Sequence, residues 1–217
     1  MANVFQYVGE MSGGRHPMIV KIPVGLPMDV PKGTPLFYDD SIGEIMHFGD
    51  KQIGVTAADY RVIPDELDPN AGTYEALINI SPDSIYKIQA CTLTVHSCSG
   101  NTLNIIAQTC PGALDYCEKF KLVLASKSAN STNPNAIGSV LQVTSASCSG
   151  TTLSLTCSTA PGACAGDTYY VFPTFGFNYL SNSYDPVLDL SEAGGYKVLT
   201  TDMDEKTYTV KLSNMLL

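Results

Sequence analysis

The chain has 217 residues, a formal net charge of −9 and only 12 Lys plus Arg, scattered without a cluster. Such a surface cannot displace counterions from a phosphate backbone and is repelled by anionic lipid, so neither nucleic acid nor a membrane surface is an expected partner. There is no run of about 18 apolar residues that would span a bilayer, and Met1-Ala-Asn-Val-Phe-Gln-Tyr7 lacks the basic and apolar regions of a secretory signal, so synthesis in a cytoplasm is expected.

In chain order, residues 1–15, with Ser12-Gly-Gly-Arg15, read as a flexible N-terminal arm that orders on a partner. Residues 16–88 form a β module. Short strands are expected at Pro17–Ile22, Thr34–Tyr38, Ile42–His47, Gln52–Val55, Thr73–Ile80 and Ser84–Gln89, punctuated by Gly25, Pro27, Pro31, Gly33, Gly43, Gly54, Pro64 and Gly72. Six short strands in so few residues predict a small barrel or a sandwich. No helix is expected beyond a single turn at Pro64–Pro69.

Residues 89–176 contain a duplication. Leu93–Ala113 returns as Val143–Ala163 at a constant offset of 50, with 11 of 21 aligned positions identical and no gap. Each copy reads as a β-hairpin. Leu93 and Val95 alternate with Thr92, Thr94 and His96, and Ser97-Cys98-Ser99-Gly100-Asn101 is the expected turn. Leu103, Ile105 and Ile106 return, and Pro111-Gly112 turns again. Phe120–Leu124 and its counterpart Tyr170–Thr174 supply a third strand. Three strands cannot cover both of their faces, so the copies are expected to pack together. Ser126–Ser139 reads as the linker between them. Residues 177–217 end in a hairpin, Tyr196–Thr201 with Thr207–Leu212, closed by Asp202–Lys206 and expected to pack back on the first module. The predicted class is all-β: a small barrel or sandwich module with an inserted β domain of two tandem hairpin-type repeats.

The search for chemistry returns little. His16, His47 and His96 have no metal-ligand spacing, and no nucleophile elbow, P-loop or dinucleotide fingerprint occurs. Ser97-Cys98-Ser99 recurs at Ser147-Cys148-Ser149, where Ala146 replaces His96, which fits a copied turn better than a nucleophile. Acidic groups occur at Asp39-Asp40, Asp65/Glu66/Asp68 and Asp202/Asp204/Glu205; Asp202-x-Asp-Glu is too short for a calcium loop and reads as a solvated turn. The seven Cys, at 91, 98, 110, 117, 148, 157 and 164, align between copies only at 98 and 148, and they read as free thiols rather than a repeated disulfide framework, with disulfides formed after release from the cell as the alternative and zinc as a third reading. Tyr169, Tyr170, Phe172, Phe175, Phe177, Tyr179 and Tyr184 read as aromatic strand faces, with a sugar-stacking platform as the alternative. No catalytic, cofactor-binding or metal-binding residue is assigned, and neither enzymatic activity nor a cofactor is expected.

Pro31-Lys-Gly-Thr-Pro-Leu36, Asp39-Asp40, Gly54-Val-Thr56 and Gly72-Thr-Tyr-Glu-Ala-Leu77 resemble the strand motifs of head-decoration and head-fibre-like proteins of tailed bacteriophages, over residues 17–88. The resemblance implies a β-rich structural subunit on the outer capsid surface of a virion, made in the host cytoplasm and bound to a major capsid protein. The 89–176 region departs from that pattern. A homo-oligomer, trimer or dimer, is expected from the low charge and aromatic strands. The alternative is a carbohydrate-binding or adhesin module, with the repeat domain contacting host-surface glycan.

Overall fold

A computed structural model describes residues 5–11, 17–24, 29–39, 43–46, 51–60, 74–106, 120–173, 178–179 and 196–212. These residues contain no helix. The strands are β1 (Gln6–Glu10), β2 (Ile19–Val24), β3 (Pro35–Asp39), β4 (Glu44–Met46), β5 (Lys51–Thr56), β6 (Tyr74–Asn79), β7 (Ser84–Gln89), β8 (Thr92–Thr94), β9 (Ser97–Ser99), β10 (Thr102–Ile106), β11 (Phe120–Ser126), β12 (Val140–Ser149), β13 (Thr152–Cys157), β14 (Thr168–Pro173), β15 (Asn178–Tyr179), β16 (Tyr196–Asp202) and β17 (Thr207–Leu212). They form three antiparallel sheets, ordered β2-β6-β5-β3-β4, β1-β7-β17-β16-β15 and β8-β14-β11-β12-β13-β10-β9. The architecture is sandwich-like, and the described residues form no closed barrel.

The first sheet encloses its own small core of Val24, Val30, Leu36, Tyr60, Ala76, Ile78 and Ile80. Period-2 alternation generates it: Val20, Ile22 and Val24 turn inward while Ile19 and Lys21 face out. Gly54 is required where β5 meets β6. A Cβ there would lie 2.4 Å from the Asn79 carbonyl oxygen and 2.8 Å from Ile78 Cγ2.

The sequence reading places residues 1–15 in a flexible arm, but residues 6–10 are edge strand β1, paired with β7. Phe5 is the reason. Its ring is buried, 6.0 Å from the Tyr86 ring, and its N–H donates to the Gly33 carbonyl at 2.8 Å. Glu10 ties the other end, accepting from Ser81 Oγ at 2.7 Å and from Ser84 Oγ. The boundary expected after residue 88 also moves. β7 leaves the first module and pairs with β1 on one side and β17 on the other. Tyr86, Ile88, Val198, Tyr208 and Val210 then join one continuous core with the repeat domain.

Within that domain the two copies are related by a pseudo-twofold. Each contributes a hairpin with a two-residue turn, Gly100-Asn101 and Gly150-Thr151. The glycines have φ 57° and 60°, and the residues after them do not have positive φ, the pattern of a type II′ turn. Ser97–Ser99 is therefore strand, not turn as the sequence reading has it. Across the β10/β13 ladder, Leu103 pairs with Leu155, Asn104 with Ser154 and Ile105 with Leu153. Subtracting the offset of 50 from the second partner turns these into 103/105, 104/104 and 105/103, which is unchanged when the copies are exchanged. Asn104 Oδ1 accepts from Ser154 Oγ at 2.7 Å on that axis. The β11/β14 ladder behaves alike, with Lys121 opposite Phe172 and Leu122 opposite Val171.

The first strand of each copy pairs with the third strand of the other, β8 with β14 and β12 with β11. Both first strands change partner midway. Residues 92–94 pair with β14 and 97–99 with β10, while β12 passes from β11 to β13 through an irregularity between Val143 and Ser145. Such corners let one strand serve two packed layers. Equivalent positions fill the interior: Leu93 and Val143, Leu103 and Leu153, Ile105 and Leu155, Leu122 and Phe172 are all buried, each burial contributing about 2 kcal/mol.

Gly54→Ala should destabilise the fold by at least about 2 kcal/mol, because the carbonyl it meets is backbone and cannot rotate away. Gly100→Ala and Gly150→Ala meet no atom within 4 Å and should cost only the left-handed backbone term, about 1–2 kcal/mol, by equal amounts. Urea unfolding of the three variants measures this, and unequal values at 100 and 150 would show that the two turns are not equivalent.

Candidate functional site

The described surface is uneven in its apolar content. Ten large hydrophobic residues are exposed: Tyr7, Val8, Met11, Met18, Ile19, Tyr38 and Leu77 in residues 1–88, and Ile106, Ile137 and Val140 in the repeat domain. Of the seven, Tyr7, Val8, Ile19 and Leu77 lie on β1, β2 and β6, Met11 and Met18 border β1 and β2, and Tyr38 lies apart on β3; the first six make up the candidate interaction surface. Backbone bonds bring most of it together. The Met11 N–H donates to the Asp83 carbonyl at 2.9 Å and the Ile80 N–H to the Met18 carbonyl at 2.9 Å, so Met11 and Met18 flank the same β6–β7 turn. Ile19 lies opposite Asn79, and Leu77 opposite Lys21, whose ammonium pairs with Glu75. The edges beside this surface are blunted against further strand pairing. Val8 sits where the β1/β7 register shifts, and Pro23 lies in edge strand β2.

The segment read as a linker, residues 126–139, is a docked loop built on Asp167. That carboxylate is fully buried and accepts from the Ser128 N–H at 2.8 Å, the Cys164 N–H at 3.0 Å, Ser131 Oγ at 3.0 Å and Asn133 Nδ2 at 3.0 Å. Burial pushes its pKa up, but the four donors outweigh that and bring it down to about 2. Asn133, itself buried, also donates to Tyr169 Oη at 3.3 Å, and Asn135 Nδ2 donates to the Pro161 carbonyl at 2.6 Å. Loop and second repeat are thereby stitched at several points.

Sulfur chemistry divides the described cysteines. Cys148 is disulfide-bonded, so at this position the disulfide alternative holds and not the free thiol. Cys98, Cys157 and Cys164 are free. Cys157 is buried among apolar side chains, which raises its pKa to about 11. Cys164 Sγ accepts the Thr132 N–H at 3.3 Å and shares a hydrogen bond with the Thr132 hydroxyl at 3.4 Å, and these contacts lower its pKa.

The other candidates are dispersed. His96 is exposed at the corner between β8 and β9, where its N–H donates to the Asn104 carbonyl at 2.8 Å. Asp202 Oδ1 accepts the N–H groups of Asp204 and Glu205 at 3.0 and 2.9 Å, so this acidic group builds a turn. Tyr169 and Phe172 are buried in the core, and Tyr170 lies beneath the Lys206 ammonium, 5.7 Å from the ring centroid. These three rings form no open stacking platform. His16, His47, Asp40, Asp65, Glu66, Asp68, Cys110, Cys117, Pro111, Phe175, Phe177 and Tyr184 lie outside the described residues. Among the described residues no three His, Cys, Asp or Glu gather as a metal site, and no helix is long and apolar enough to cross a membrane. No protein family, curated protein or solved structure matches the chain.

Because the folded pKa of Asp167 is depressed, its stabilisation is present above the ordinary carboxylate range and is lost as pH falls from about 4 toward about 2. Amide exchange of Ser128 should therefore accelerate across that interval, and Asp167→Ala should abolish the dependence while costing about 3 kcal/mol at neutral pH. An unchanged Ser128 exchange profile in the variant would remove Asp167 as the cause.

Limited alkylation with iodoacetamide near pH 8, read by peptide mass spectrometry, should label Cys164 well before Cys157. Thr132→Val should slow Cys164 by removing one donor. Equal rates at Cys164 and Cys157 would contradict the opposite shifts.

Proposed function

We propose that the chain is a structural virion protein that decorates or stabilises the outer capsid surface of a tailed phage. It docks on the major capsid protein through the face carrying Val8, Met11, Met18, Ile19 and Leu77, with the repeat domain projecting outward. The observation that carries this reading is the concentration of exposed apolar side chains on and beside β1, β2 and β6; apolar patches on soluble proteins mark contact surfaces. The motif resemblance over residues 17–88 and the low charge support it. Association as a dimer or trimer would multiply weak contacts on a lattice.

Purified phage heads lacking the protein provide the test. Wild-type protein should co-sediment with them, and a variant with Val8, Met11, Met18 and Ile19 all changed to Ser should bind at least about tenfold more weakly, a loss of about 1.4 kcal/mol. Ile106→Ser with Val140→Ser should bind as wild type. Serine substitutions are the right probe here, because truncating residues 1–15 would remove buried Phe5 and strand β1. The opposite pattern would reverse the orientation, and no binding by wild type would reject the function.

A further inference from the structure

The outer face of the β1-β7-β17 sheet holds a groove of about 410 Å³ lined by Gln6, Lys87, Gln89, Glu205 and Thr207. We propose that this groove is a binding site for a neutral saccharide.

The placement follows from strand register. Tyr86 and Ile88 turn into the core, so Lys87 and Gln89 stand on the opposite face. Gln6 lies across from Lys87 and Thr207 across from Gln89, which sets four polar side chains in two adjacent rows. The β16–β17 turn rises beside them. Asp202 holds it through the two N–H bonds already described, and Lys206 closes it in the left-handed region at φ 59°. That geometry carries Glu205 back over the sheet to pair with the Lys87 ammonium. Gln89 Nε2 donates to the Lys206 carbonyl at 2.9 Å, a bond that fixes the amide at the groove edge.

The chemistry of the lining selects the ligand class. Two primary amides, a hydroxyl and one ion pair offer both donors and acceptors and carry no net charge. A phosphate would meet Glu205, a metal cation would meet Lys87, and an apolar ligand would find no aromatic wall. A sugar hydroxyl donates and accepts at once, and adjacent hydroxyls match the paired functions of an amide or an ammonium–carboxylate pair. The inference goes beyond the capsid reading and does not depend on it. It puts glycan contact on this sheet rather than on the repeat hairpins.

Two-dimensional amide NMR of the whole chain tests it, with methyl β-glucoside, methyl β-galactoside and N-acetylglucosamine as probes, each up to about 50 mM, where a Kd of a few millimolar is saturated. At least one sugar should shift the Gln6, Lys87, Gln89, Glu205 and Thr207 amides together, while inorganic phosphate and calcium at the same concentration leave them in place. Lys87→Ala with Glu205→Ala should weaken that binding about tenfold or more, and Gln6→Glu, which adds a charge without removing a contact to the core, should weaken it as well. The proposal is overturned if none of the three sugars shifts these amides, if the shifts persist unweakened in a variant whose remaining spectrum is unchanged, or if phosphate or calcium binds there instead.

Discussion

Neither half of the repeat domain can complete its own hydrogen bonding. The first strand of each copy finds a partner in the third strand of the other, and the two hairpins meet along β10 and β13. The backbone groups of a lone copy would stand unpaired along those edges, and Leu103, Ile105, Leu153 and Leu155 would lose the layer that covers them. This reciprocal pairing is the constraint on which the large core rests. It also explains why a duplication, rather than an elaboration of one hairpin, was needed to make the unit.

Asp167 works against this background as a rivet. A charge at zero exposure is costly unless every lone pair is answered, and four donors from Ser128, Ser131, Asn133 and Cys164 answer it. The loop that joins the copies is thereby immobilised against the second copy, and a small-residue contact completes the fit. Gly162, at φ 57°, leaves room for the Pro134 ring, which a Cβ would meet at 2.8 Å. Connection between the copies is thus part of the packed structure.

Most strands were legible from local pattern and from Gly and Pro punctuation. All six strands expected in residues 16–88 occur within two or three residues of their predicted bounds, as do Phe120–Leu124, Tyr170–Thr174 and the C-terminal hairpin, because period-2 burial is a local property of the sequence. What could not be read is non-local. Phe5 looks like part of a polar, Gly-rich arm until Tyr86 supplies its pocket. Ser126–Ser139 has linker composition, and only Asp167, far along the chain, converts its hydroxyls and amides into partners. Ser97-Cys98-Ser99 was placed in a turn because Ser and Gly favour turns, whereas Gly100 alone supplies the positive φ and lets the strand run to Ser99. No part of the polar groove on the β1-β7-β17 sheet was visible in sequence, since Gln6, Lys87 and Glu205 come together only through sheet register.

The central position of β7 has a consequence for biosynthesis. Its two neighbours, β1 and β17, come from opposite ends of the described chain, with the whole repeat domain emerging between β7 and β17. As the chain leaves the ribosome from its N-terminus, the β2–β6 sheet and then the repeat domain have all their strands available in turn. The sheet around β7 does not, and its high contact order makes it the slow step. Until Thr207–Leu212 arrives, one edge of β7 stays unpaired and Tyr86 and Ile88 lack the cover of Tyr208 and Val210. The nascent protein therefore passes through a stage with a sticky, half-built sheet, in which chaperone protection or premature association is decided.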